Sequence, residues 1–121
     1  MDIKQLVNDA YENASRKGFW EDWYEIKGSK KHKAINIETY SAEVNLINNA
    51  ISTRLMLIVG EVAEAQEGLR HNDMENFNEE LADIAIRLFD LCGGLKIDIE
   101  EEIIKKMEKN KLRPYKHGKV F

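Results

Sequence analysis

Leu55-Met56-Leu57-Ile58-Val59-Gly60-Glu61-Val62-Ala63-Glu64-Ala65 is the stretch that decides the fold: an apolar run interrupted by two glutamates three residues apart. A second run, Leu81-Ala82-Asp83-Ile84-Ala85-Ile86-Arg87-Leu88-Phe89, follows directly on Glu80, so Glu80-x-x-Asp83 repeats the acidic spacing. On a helix, residues three apart project about 60° from each other, so each pair points two carboxylates at one spot. Four such acids converging between two helices repel one another and hold protons too tightly unless a cation neutralises them. Hard oxygen ligands without supporting His or Cys favour Mg²⁺, with Mn²⁺ or Ca²⁺ as substitutes, over Zn²⁺.

Around these pairs the periodicity is helical. Val44, Ile51, Leu55, Ile58, Val59, Val62 and Leu69 form the expected core stripe of the first segment. A second row, Leu46, Ala50, Leu57, Glu61, Glu64 and Gly68, is apolar or small apart from its acids, so this helix needs cover on more than one side. In the second segment Phe77, Leu81, Ile84, Leu88 and Leu91 make the stripe, and Asn76, Glu80, Asp83 and Arg87 a polar strip along its edge. Ile86 and Phe89 fall off both, and such leftover apolar surface predicts a homo-oligomer, dimer or tetramer.

The rest of the chain reads the same way. Asp2 to about Lys17 is helical with Gly18 as its stop, Phe19 to about Glu38 irregular, and Thr39 to Arg70 a long helix. A third helix runs from Met74 or Glu75 to Cys92 and is closed by Gly93-Gly94. Asp98 with Glu101 makes a capping box for a fourth, reaching about Asn110 with Ile99, Ile103 and Met107 inward. The expected fold is an all-α four-helix bundle, one domain over residues 1–121. At 121 residues it needs no disulfide or structural metal to bury a core.

Cys92 is the only cysteine and no Cys/His cluster has zinc spacing. A net charge of −4 speaks against general nucleic-acid binding. With no stretch of about 20 apolar residues and no signal-peptide plan at the N-terminus, a cytoplasmic protein without a membrane partner is expected.

The order of helix, Glu61-x-x-Glu64, short loop, Glu80-x-x-Asp83, helix and basic tail resembles the MazG-like branch of the all-α NTP pyrophosphohydrolases, the superfamily that also holds dimeric dUTPases. The likeness covers roughly residues 39–121. The tail Lys106-x-x-x-Asn110-x-x-Arg113-Pro114-Tyr115-x-His117-Gly118-Lys119 is similar to the ending of many short MazG-like chains. The resemblance implies a Mg²⁺-dependent hydrolysis of nucleoside triphosphate to monophosphate and pyrophosphate, a house-cleaning of the nucleotide pool. It makes Glu61, Glu64, Glu80 and Asp83 the metal ligands and catalytic acids, and Lys106, Asn110, Arg113 and Lys119 the phosphate-binding groups. The family motif is usually EExxE followed by ExxD; here Gly60 stands where the first glutamate often does.

On the base side, Trp20, Trp23 and Tyr24 are candidates to stack on a nucleobase, and Asn48 or Asn49 to touch base or sugar, although such aromatics more often pack a loop onto a bundle. The basic run Lys27 to Lys33 reads first as a solvated loop. Two rivals stand beside the enzyme. A non-catalytic all-α interaction module leaves the acids in both central helices unexplained, and a di-iron bundle requires Glu-x-x-His, which neither pair has.

Overall fold

The computed structural model describes the backbone of residues 1–28 and 37–121 and the side chains of 1–27 and 41–121. Within them lie five helices, α1 (Ile3–Arg16), α2 (Glu21–Gly28), α3 (Ile37–Arg70), α4 (Met74–Leu95) and α5 (Ile99–Lys111), then a 3₁₀ turn, Tyr115–Gly118. No strand occurs among the described residues. The architecture is all-α, with one helix more than expected: Glu21–Gly28, read from sequence as irregular, is helical.

The connections are short because each helix end also serves the next element. Gly18, at φ +87°, closes α1: its N–H bonds to Ser15 O and that of Phe19 to Ala14 O, a Schellman motif that only glycine enters without strain. Asn72 closes α3 in the same way, and Asp73, next in the chain, caps α4 by accepting from the Asn76 N–H at 3.0 Å. Lys96, also left-handed, closes α4, and Asp98 then caps α5 through the Glu101 N–H. So α4 runs through Gly93-Gly94, which sequence reading had taken as its stop.

Packing explains those glycines. A Cβ on Gly93 would lie 2.5 Å from Tyr11 Cβ, and one on Gly94 would overlap the Trp20 ring. Two interior glycines cost α4 about 1 kcal/mol each in helix propensity. In return, α1 and Trp20 approach the α4 backbone without a gap. Trp20 is 0% exposed, edge-on to Tyr11 and Trp23, and forms the core with Trp23, Ala50 and Leu91. Arg54 clamps it from α3: its guanidinium lies 4.1 Å from the Trp20 ring and donates to Asp22 Oδ1 at 2.7 Å, Phe19 O at 2.9 Å and Ala50 O at 3.1 Å.

α3 and α4 pair most extensively, α1 lies on α4, α2 on α3, and α5 touches α1 lightly. The core is therefore not where the α3 stripe predicts. Ile51 and Ile58 pack against it, but Leu55, Val59, Val62 and Leu69 are half exposed, as are Leu81 and Ile86 on α4 and Met107 on α5. Conversely, three members of the polar strip, Asn76, Glu80 and Arg87, are half-buried. Ser41–Arg70 is also long and apolar enough to cross a membrane, against the sequence reading that no such stretch exists. Arg54, in its middle, is instead ion-paired with Asp22 of α2.

Candidate active site

The α3–α4 hairpin places its acids opposite one another. Glu61 from α3 and Glu80 and Asp83 from α4 each bring a carboxylate oxygen to within 4.8 Å of the other two. Glu61 is largely enclosed, its side chain 17% exposed, and it accepts from Arg87 Nε at 2.6 Å. Glu80 Oε2 is buried and has no hydrogen-bond partner among the described residues. Glu64 is exposed and its carboxylate stands outside this trio, near enough for its charge to act on Glu80.

The electrostatics are split. The Arg87 hydrogen bond holds the Glu61 carboxyl below its ordinary range. Glu80 goes the other way: it is pushed up by its hydrogen bond with Glu61, by desolvation, and by the charges of Glu61, Asp83 and Glu64. One carboxylate fixed by a guanidinium, beside a second that is pushed toward its neutral form and carries an unpartnered buried oxygen, suits a hard cation with oxygen ligands.

From Glu61 and Asp83 of this trio a cleft of about 640 Å³ extends between α1, α3 and α4. Glu61, Asp83 and Arg87 line one end; Asn13, Gly18, Phe19, Glu21, Asp22, Arg54 and Asp90 line the other. Asp90 accepts from Trp20 Nε1 at 2.6 Å, and its carboxyl is pushed up by desolvation, against the opposing effect of that hydrogen bond.

The predicted phosphate-binding residues are not brought together with the acids within one chain. Lys106 and Asn110 lie on α5, Arg113 and Lys119 flank the 3₁₀ turn, all four are exposed, and none lines the cleft. The aromatic candidates also change. Trp20 and Trp23 are buried in the core, and Tyr24 hydrogen-bonds Tyr11 and Ser15. Asn48 and Asn49 are exposed away from the cleft lining, and residues 29–33 of the basic run lie outside the described residues. Sequence reading passed over Phe19, Asp90 and Asn13. An aromatic directly after a helix-stopping glycine was the available signal for Phe19.

Residues 50–117 match the family model of the MazG nucleotide pyrophosphohydrolase domain. The chain belongs to the MazG family. That match spans more than half of the sequence and both acidic pairs, together with most of the basic tail. No curated protein and no solved structure was similar enough to be matched. Membership supports a hydrolase that acts on nucleotide pyrophosphate bonds, in a family that is generally dependent on divalent metal, and the acidic trio is the group of this MazG chain that could hold one.

Proposed function

We propose that this protein is a Mg²⁺-dependent nucleoside triphosphate pyrophosphohydrolase, with Mn²⁺ as a substitute, which converts a nucleoside triphosphate to its monophosphate and pyrophosphate. The observation that carries this reading is the trio of Glu61, Glu80 and Asp83 at the head of a cleft, in a chain of the MazG family. Those three carboxylates would hold the metal, with the nearby exposed Glu64 as the fourth candidate ligand. Bound there, the metal would polarise the α-phosphoryl group and lower the pKa of a water.

The protein's own groups do the rest. Arg87 donates to Glu61 Oε1 and so orients that carboxylate. Water adds to the α-phosphorus, the bond from that phosphorus to the α–β bridging oxygen breaks, and pyrophosphate departs with the electron pair. Its growing charge needs cations, and Lys106, Arg113 and Lys119, with Asn110 as a neutral donor, are assigned that task. Because none of these lines the cleft of its own chain, a homo-oligomer, dimer or tetramer, in which the tail of one copy serves the cleft of another, accounts for both the exposed tail and the exposed α3 face. The setting is a single domain over residues 1–121 in the cytoplasm, cleaning the nucleotide pool.

Pyrophosphate release from the canonical NTPs and dNTPs, with Mg²⁺ and with chelator, tests this directly. Asp83→Asn or Glu80→Gln is expected to lower kcat about a hundredfold or more. In the same variants, and in Glu64→Gln, the rise in melting temperature with millimolar Mg²⁺ disappears. Equal turnover in chelator, or diphosphate and orthophosphate as first products, sinks the reading.

A further inference from the structure

The cleft is polarised along its length, and its two ends suit different parts of a nucleotide. Glu61 and Arg54 are seven residues apart on α3, as are Asp83 and Asp90 on α4, so the ends are separated by about 10 Å of helix. That is the reach of a nucleoside from its phosphate to its base. At the end remote from the trio the charged lining groups are Glu21, Asp22, Asp90 and Arg54, and Arg54 is already paired with Asp22. Three carboxylates against one neutralised guanidinium repel phosphate, so the triphosphate belongs at the Arg87 end and the base at the other.

Two side chains there are held ready for a planar ligand. Phe19 is 67% exposed although its backbone is fixed on both sides, its N–H to Ala14 O and its carbonyl by Arg54. An aromatic face presented to solvent on an anchored backbone is a stacking platform. Asp90 is fixed through Oδ1 by buried Trp20, and its Oδ2 has no hydrogen-bond partner among the described residues. A carboxylate held in this way offers an acceptor and no donor.

Resting on the pyrophosphohydrolase reading, we propose that Phe19 and Asp90 form the base subsite, and that Asp90 selects bases carrying an exocyclic amine, cytosine, adenine and guanine, over uracil and thymine. Amines donate to the free oxygen. Uracil and thymine present a single imide N–H flanked by two carbonyls, which a carboxylate repels. Phe19 stacks on any of them and sets affinity rather than choice.

The test is an exchange of polarity. Asp90→Asn keeps an oxygen for Trp20 Nε1 and turns an amide N–H₂ toward the cleft. Wild-type kcat/KM for dCTP, dATP and dGTP is expected to exceed that for dUTP and dTTP about tenfold or more, and Asp90→Asn to abolish or invert the order. Phe19→Ala raises KM for all five without changing their ranking. Tryptophan fluorescence titrated with dCMP and with dUMP, without metal, reads the same preference independently of turnover. Preferential binding of dCMP with no hydrolysis of any triphosphate overturns the enzymatic reading and keeps the subsite. Hydrolysis with the same base ranking in wild type and Asp90→Asn overturns the subsite and keeps the enzyme. A melting temperature for Asp90→Asn within a few degrees of wild type establishes that the comparison is between folded proteins; if it unfolds, the dCMP and dUMP titration of wild type decides alone, and equal binding of the two ends the proposal.

Discussion

The two faces of the α3–α4 hairpin are made from similar residues and end differently. Toward α1 and α2 the hairpin meets Trp20 and Trp23 across Ala50, Leu91 and the two interior glycines, and the core there is closed beside the cleft. On the other side, Leu55, Val59, Val62 and Leu69 stand half exposed, although by hydropathy they are the better core residues. Burial inside this chain follows from how closely backbones approach, not from how apolar a stripe is. The glycine-lined core is closed within one chain, and the aliphatic face stays open, the surface on which the proposed second copy would pack.

Trp20→Ala strikes the closed face hardest and is expected to cost about 3 to 5 kcal/mol in urea unfolding, because it empties the centre of the core and frees Arg54 and Asp90 of their partner. Gly94→Val, which drives a side chain into the same ring, follows at up to about 3 kcal/mol. If both are tolerated, the contrast between the faces fails. On the open face, Val59→Glu with Val62→Glu should leave the unfolding midpoint of the single chain nearly unchanged, yet weaken self-association about a hundredfold, as read by light scattering across micromolar concentrations. A wild-type monomer at those concentrations would remove the second copy from the account.

The acids between the faces sharpen the comparison through pH. Glu80 is raised above its ordinary 4.5, so the stability it confers is full in acid and is lost as pH climbs through its folded-state titration. Glu61 is lowered, so its contribution is present above 4.5 and is lost as pH falls through its depressed value. Binding a divalent cation favours the ionised form of Glu80, which its surroundings disfavour. The Mg²⁺-induced rise in melting temperature should therefore grow with pH above 4.5, with affinity changing at most about tenfold per unit, the limit for release of one proton. A rise of equal size at pH 5 and pH 8 would show that Glu80 is not a ligand. The smallest expected effect is that of Gly60→Ala: its Cβ meets nothing within 4 Å, so relief of the helical glycine should stabilise the chain by about 0.5 to 1 kcal/mol.

What the sequence made legible divides along the same line. Period and spacing located α1, α3, α4 and α5, and the acids Glu61, Glu80 and Asp83 that the hairpin brings together, because helix geometry alone relates residues three apart. Gly93-Gly94 misled, since a glycine that admits a neighbouring ring and one that ends a helix look alike without the neighbour. Glu21–Gly28 differs from the irregular reading for a related reason: eight residues, little more than two turns, carry little periodicity of their own. Asp90 was invisible as a cleft residue because its partner, Trp20, lies far away in the chain.

That distance has a kinetic meaning. The Arg87–Glu61 contact ties residues 26 apart, whereas the Trp20–Asp90 hydrogen bond closes 70. Loop-closure entropy alone makes the longer closure costlier by about 0.9 kcal/mol. The acidic trio thus belongs to a local unit expected to form as soon as the hairpin zips, and the opposite wall of the cleft to a long-range one expected to dock afterwards. An opening that releases α1 and α2 dismantles the cleft while leaving the acids in register, and amide exchange in those two helices ahead of the hairpin is its signature.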